Sequence, residues 1–125
     1  MGRVAVQAPD TVSGFILRER LMAELGAAPS PDLILAVTLT EERDSAAVTP
    51  DGDITRFTLV GRAVWELRDS AQGQMLASGE VTTFSSYSAT GSTVATLAAE
   101  RAARERQALA LADLVRDDLL LRNLP

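Results

Sequence analysis

Residues 54–69 read ITRFTLVGRAVWELRD, and the alternation in this stretch decides the fold. One set of alternate positions is apolar or small: Phe57, Leu59, Gly61, Ala63, Trp65 and Leu67. The other set is mixed: Arg56, Thr58, Val60, Arg62, Val64, Glu66 and Arg68. A period of two predicts a β-strand with one buried face. The small Gly61 and Ala63 leave room for a helix to pack closely on that face.

The chain continues from this strand through a turn at Asp69–Gln74 into a second strand over 75–87. Neither face of this second strand is strongly apolar, which is typical of an edge strand or of one covered from outside the chain. The corner ATGS follows, with Ser92 or Thr93 as helix cap, and a helix of nearly thirty residues begins at Val94. Its predicted buried stripe is Ala108, Ala112, Val115 and Leu119.

The N-terminal part predicts a strand over 3–8, a helix over 12–25 and a long strand over 32–48. Asp10 or Thr11 would cap the helix, and Gly26 would end it. Its apolar stripe consists of Leu17, Leu21 and Leu25, flanked by Phe15 and Met22. The four charged residues on the remaining positions read as a solvated face: Arg18, Glu19, Arg20 and Glu24. A turn at residues 49–52 then leads into the decisive strand.

This order of elements predicts an α+β fold, namely a two-layer α/β sandwich of order βαβββα. The last three strands form an antiparallel meander, and the first joins at one side through the first helix. We therefore expect a four-stranded mixed sheet with two helices on one face. Residues 1–125 are expected to form a single domain.

The composition argues against an enzyme. The chain has 125 residues, no Cys and no His. It therefore lacks the commonest metal ligands and the usual general base near neutral pH. A net charge of −5 at pH 7 does not suit general binding to a nucleic-acid backbone. No apolar run approaches the roughly 20 residues that span a bilayer. No secretion signal is recognisable, so the chain is either cytosolic or a mature domain without its targeting segment.

Three pairs of carboxylates are candidates for acid–base groups: Glu41-Glu42, Asp51 with Asp53, and Asp117-Asp118. They lie at a strand end, in a turn and on the last helical turn, where solvation and turn geometry explain them. The loop around Asp51 is too short for an EF-hand. Gly91-Ser92-Thr93 would suit a helix cap better than an anion site, and Ser92 has no histidine to activate it. We predict no catalytic residue, no metal site and no cofactor.

The remaining candidate site is the mixed face with Arg56, Arg62 and Arg68 at strand spacing. One interpretation is a solvated face on which Arg stems cover Thr and Val. The other is a surface that combines apolar contact with cations, for an amphipathic anion such as a phosphorylated lipid or for a protein wall. The residues alone leave both open.

The chain resembles the lipopolysaccharide-assembly lipoproteins of the Gram-negative outer membrane (LptE-type). Four features carry the resemblance along nearly the whole chain. They are a long strand with an Arg near its start, a Leu-x-Asp…Gly hairpin at 67–73, the Ser-Tyr-Ser segment at 86–88 before a small-residue corner, and a helix of the form A-x-x-x-A-x-x-R…L-A. The opening segment of Pro, helix and Leu-rich strand fits as well.

The resemblance implies the same βαβββα fold and a non-enzymatic role. Such lipoproteins plug the large outer-membrane β-barrel that inserts lipopolysaccharide, assist its assembly, and can bind lipopolysaccharide directly. Their location would be the periplasmic side of the outer membrane. An acylated N-terminal Cys normally tethers them, so we expect this chain to begin after the signal and the anchor. No other membrane attachment and no nucleic-acid partner are expected.

The family's lipopolysaccharide contacts imply basic residues near the hairpin between the second and third strands and near the start of the last helix. The nearest here are Arg56 and Arg101, so the candidate anion-binding residues are Arg56, Arg62, Arg68 and Arg101. The alternative is a cytosolic α/β module of anticodon-binding-like fold that binds nucleic acid or a small anion. The negative charge and the shortage of stacking aromatics count against this alternative.

Overall fold

Four strands and two helices form a two-layer α+β sandwich in the computed structural model, which describes residues 4–25, 32–48, 54–89 and 92–121. The elements are β1 Val4–Gln7, α1 Val12–Leu25, β2 Leu33–Val48, β3 Ile54–Asp69, β4 Met75–Ser88 and α2 Thr93–Leu121. The order is therefore βαβββα, and the predicted fold class is confirmed.

The four strands form one mixed sheet in the order β1-β2-β3-β4. β2, β3 and β4 pair antiparallel as a meander. β1 runs parallel to β2, but it pairs only with Leu33–Ala36 at the start of that strand. The parallel pairing follows from the connection, because α1 returns the chain to the starting edge before β2 begins.

Local hydrogen bonds fix the ends of the elements. Thr11 Oγ1 accepts from the Gly14 amide at 2.9 Å and Ser92 Oγ accepts from the Ala95 amide at 3.1 Å, so these two residues are the N-caps. In the β3–β4 turn, Gly73 has a φ of 69°, a conformation that glycine adopts without strain. The features predicted at Gly26, at residues 49–53 and at Gly91 lie outside the described residues.

The main core lies between the sheet and both helices around Trp65, which is completely buried. The buried residues of this cluster come from β1–β3 and from both helices: Val4, Val6, Leu17, Leu21, Leu25, Leu35, Val37, Ala63, Trp65, Leu67, Leu111, Ala112, Val115 and Leu119. The predicted stripes of both helices are thus confirmed, with one exception. Phe15 was expected to flank the stripe of α1, but it is 59% exposed because it lies on the side of the helix away from the core.

A second, smaller cluster of Leu59, Tyr87 and Ala103 lies under the first half of α2. Gln107 separates it from the main core, with a side chain that is only 1% exposed. Its Nε2 donates to the Leu59 carbonyl at 2.8 Å, whereas its Oε1 accepts no hydrogen bond from the described residues. A Cβ at Gly61 would lie 2.7 Å from the Gln107 Cδ, so the glycine permits the close helix approach that the sequence predicts.

Ion pairs tie the two helices together on the outer side of the helical layer. Arg20 contacts Glu24 at 2.8 Å and Asp113 at 3.1 Å, and Arg116 contacts Glu24 at 2.6 Å. The predicted solvated face of α1 is therefore only partly solvated, because Arg20 and Glu24 bridge to α2. Hydrogen bonds from Arg20 hold the pKa of the Asp113 carboxyl below its usual value.

Candidate functional site

The candidate site is the side of the sheet that the helices do not cover, which we call the open face. On β3 the helix side is buried from Leu59 to Leu67, whereas the opposite side carries exposed or half-exposed residues. The exposed apolar side chains on the open face include Val64 at 39% and Phe84 at 72%. A sheet with one face packed and the other uncovered is a common antiparallel arrangement, but exposed apolar side chains on the second face indicate a contact surface.

Three of the predicted candidate residues lie along β3 on this open face. Arg62 Nε lies 3.6 Å from Glu80 Oε1, and both side chains are more than half exposed. Arg68 is engaged more tightly, since it donates to Glu66 at 2.7 Å and to the Gly73 carbonyl at 3.1 Å. Arg56 is exposed. Each Arg is six positions from the next, which corresponds to about 20 Å along a strand, so no two converge on one small anion.

The fourth predicted candidate, Arg101, lies in the other layer. It lines a cavity of about 420 Å³ between the start of α1 and the first half of α2. The cavity has apolar walls from Val12, Ile16 and Leu97, and it is also lined by Glu100 and Arg104. The structure therefore does not unite Arg101 with the β3 arginines, and it places this cation next to an apolar recess instead.

A cluster of polar side chains around Glu100 lies next to the cavity. The Glu100 carboxylate accepts hydrogen bonds from Tyr87 at 3.1 Å and from Arg104 and Arg43 at 3.3 Å each. Burial tends to raise the pKa of Glu100, but these hydrogen bonds and the arginine charges outweigh it and hold the pKa below its usual value. The Phe57 ring stacks on Tyr87 at 5.3 Å between centroids and lies under Arg43, 4.9 Å from its guanidinium carbon.

Two of the three predicted carboxylate pairs have structural partners. Glu41 binds Arg104 at 3.3 Å, Asp117 binds Arg116 at 3.0 Å, and Asp118 accepts from the Trp65 indole at 2.9 Å. The third pair, Asp51 with Asp53, lies outside the described residues. Within the described ranges, no group of acidic residues is arranged to hold a metal ion.

Sequence reasoning missed two features of this region. Gln107 gave no signal, because a single polar residue in a helical stripe is not distinguishable from a solvated one. The convergence of Tyr87, Arg43 and Arg104 on Glu100 depends on three elements meeting, although Glu100 and Arg104 themselves have the i, i+4 spacing at which charges pair on a helix. Among the described helices, none is long and apolar enough to cross a membrane.

The fold recurs in several bacterial proteins of known structure. A protein of Caulobacter crescentus CB15 superimposes with a TM-score of 0.77 at 24% identity over 94% of this chain and 88% of its own. Rare lipoprotein B from Shewanella oneidensis gives 0.75 at 13% identity over 96% and 95% of the two chains. A minor lipoprotein from Acinetobacter baumannii gives 0.72 at 18% identity over 100% and 96%. No curated protein matches the chain in sequence.

These superpositions and the uncovered sheet define the class of protein. It is a βαβββα sandwich with both helices packed on one side of the sheet and the other side left uncovered. The chain shares this fold with bacterial lipoproteins of known structure. The family is given by the sequence. The profile of the lipopolysaccharide-assembly family LptE matches residues 1–119, so the chain belongs to that family. The predicted family is confirmed, and with it a role in lipopolysaccharide assembly. The match gives no support to the nucleic-acid alternative.

Proposed function

We propose that this chain is a non-enzymatic component of the outer-membrane lipopolysaccharide translocon. In this role it plugs the β-barrel protein that inserts lipopolysaccharide and assists the assembly of that barrel. Membership of the lipopolysaccharide-assembly family supports the setting. We also propose that residues 1–125 act as one domain, on the periplasmic side of the outer membrane and tethered by a lipid anchor in the full-length form.

The observation that carries the proposal is the open face of the sheet. Helices cover one side only, and the other presents Val64 and Phe84 among arginines and hydroxyl groups. Such a face can satisfy both the apolar and the polar groups of a protein wall. The open face therefore supports a role in fitting a partner, and the β-barrel is the partner we propose.

Direct binding of lipopolysaccharide is the second part of the proposal, through Arg56, Arg62, Arg68 and Arg101. These four differ in their surroundings. Arg68 is held by Glu66 and the Gly73 carbonyl, and Arg62 is near Glu80. Arg101 alone of the four lines a recess with apolar walls, which fits a ligand that carries both an anionic group and an apolar chain. We therefore rank Arg101 first among the four.

Co-purification with the β-barrel partner tests the plug role. The chain and the barrel would be co-expressed in the source bacterium, and the barrel recovered with the tagged chain would be quantified. Val64→Glu places a charge on the open face, and Val94→Glu makes the same change at the 76% exposed start of α2. We expect a several-fold loss of barrel for Val64→Glu and little loss for Val94→Glu. Equal recovery with both variants would exclude the open face, and no recovery with the unmodified chain would exclude the partner.

A further inference from the structure

The outer edge of β4 lacks the features that normally protect an edge strand. β4 is the last strand of the sheet among the described residues, runs for 14 residues, and contains no Pro and one charged residue, Glu80. The outer edge of β2 differs, because beyond the short β1 it carries four successive charged residues at 41–44. Natural edges are usually blunted by charges, Pro or coverage, since an unprotected edge pairs with other strands. β4 is thus the edge suited to pairing.

The single charge on β4 is a weak barrier to pairing. Arg62 of the neighbouring β3 lies 3.6 Å from the Glu80 carboxylate and offsets its charge. The remaining open-face residues of this strand are hydroxylic or apolar. A strand that approaches the edge therefore meets a surface that is close to neutral.

The backbone direction of β4 follows from one side-chain contact. Arg106 of α2 donates to the Ser86 carbonyl at 3.4 Å, which indicates that this carbonyl points away from β3. In an antiparallel strand both backbone groups of alternate residues point to the same side. Ser78, Glu80, Thr82 and Phe84 therefore direct their N–H and C=O groups outward, toward an incoming strand.

The side-chain pattern of β4 is nearly symmetric about Glu80. On either side of Glu80, the alternate residues are first hydroxylic, Ser78 and Thr82, and then apolar, Leu76 and Phe84. Both apolar side chains are exposed, Leu76 at 44% and Phe84 at 72%, although Leu76 lies at the register shift to β3 and has no partner there. An antiparallel copy of the same strand centred on Glu80 sets Ser78 beside Thr82, and it sets the two Glu80 carboxylates opposite each other. Hydroxyl pairs stabilise a sheet, whereas opposed like charges destabilise it, so in this register the Arg62 of each copy has to offset its own Glu80.

We propose that two copies of this chain pair through β4, antiparallel and centred on Glu80, so that the two sheets form one continuous eight-stranded sheet. The interface is isologous, because the same strand serves both copies. It is smaller than the roughly 800 Å² per partner of a standard stable interface, since one strand edge supplies it. The dimer is therefore dependent on concentration. The proposal does not rest on the role in lipopolysaccharide assembly.

Site-specific cross-linking tests the register directly, because the chain contains no native Cys. In the proposed pairing the two residues at position 80 are opposite each other, with Cα atoms about 5.5 Å apart, a separation that a disulfide can bridge. In Ser78→Cys the thiols of the two copies are four residues apart along the paired strands, which is about 13 Å. Glu42→Cys makes the same chemical change as Glu80→Cys on the open face of β2.

We expect Glu80→Cys to form covalent dimers under mild oxidation, and Ser78→Cys and Glu42→Cys to form at least several-fold less. If Glu80→Cys stays monomeric, the proposal is wrong. Equal cross-linking by all three variants also overturns it, because that result indicates random collision.

Sedimentation velocity measures the association of the unmodified chain without a covalent cross-link. The concentration range runs from low micromolar to near-millimolar. The dimer fraction should rise with concentration. Phe84→Ser should weaken it by at least several-fold, whereas Phe15→Ser, the same change at a 59% exposed position on α1, should not. A chain that remains monomeric throughout, or equal effects of the two substitutions, would contradict pairing through β4.

Discussion

The Trp65 indole donates its Nε1 proton to Asp118 Oδ2 at 2.9 Å, and this bond joins the centre of the sheet to the last turns of α2. Gly79 of β4 makes the bond possible. A Cβ at this position would lie 2.6 Å from Trp65 Nε1 and would also collide with the Asp118 carboxylate. The largest core side chain, the C-terminal part of α2 and the edge strand therefore meet at one place that accepts only a glycine on β4.

Removal of the acceptor should destabilise the fold. In Asp118→Ala the fully buried indole loses this acceptor, and an unmet buried donor costs about 1–3 kcal/mol. Asp118→Asn keeps an acceptor of the same shape and should lose much less. The free energy of unfolding from urea titrations measures both. If Asn and Ala cost the same, the hydrogen bond is not what stabilises this contact.

Gly61 and Gln107 should show coupled effects on stability. Gly61→Ala places a methyl group against the Gln107 side chain, and such overpacking typically costs about 1–3 kcal/mol. Gln107→Ala removes the obstructing side chain but leaves the Leu59 carbonyl without its donor. In the double variant the added methyl occupies part of the vacated space, so the double loss should be smaller than the sum of the single losses. A double-mutant cycle by urea unfolding measures this, and additive losses would contradict the packing.

Glu100 should make the stability fall in acid. Its pKa in the folded chain is lowered, so the ionised carboxylate stabilises the fold. This contribution is complete above the ordinary value of about 4.3 and is lost as the pH falls through the lower folded value. The difference in free energy of unfolding between the unmodified chain and Glu100→Gln should therefore be larger at neutral pH than in strong acid. Glu105→Gln, the same change at an exposed position on the same helix, is the control.

Arg101 should contribute to the binding of lipopolysaccharide. Arg101→Glu reverses a charge at the rim of the apolar cavity, whereas Arg106→Glu makes the same change on α2 away from the cavity lining. We expect Arg101→Glu to weaken binding roughly tenfold, the scale of one lost charge-assisted contact, and Arg106→Glu to weaken it little. Titration of labelled lipopolysaccharide measures both affinities. Equal losses would indicate a general effect of net charge and not a site.

The sheet could be predicted from the sequence because the alternation of apolar and polar residues itself shows which face of a strand is buried. In β3 each residue from Phe57 to Leu67 lies on the face that its parity assigns, and the glycine at 61 marks the helix contact in advance. The caps at Thr11 and Ser92 were likewise within reach, since their partners are three residues away. Local signals thus fix the elements and their order.

The site could be predicted only in part, because its contacts join distant residues. Periodicity placed Arg62 on the open face but not its proximity to Glu80, and the family resemblance grouped Arg101 with arginines that lie in the other layer. Periodicity also assigned Phe15 to the flank of a buried stripe, although that side chain is 59% exposed. The positions of the helices relative to the sheet decide these points, and no local pattern reports them.

The buried Gln107 has a consequence for how the molecule moves. It divides the interior into a large apolar cluster around Trp65 and a small one around Leu59, so the two ends of the sheet do not open with the same free energy. Backbone amides in the first half of α2 should exchange with solvent well before those around Val115. We therefore expect the end of the sheet around Trp65 to open less readily than the end around Leu59.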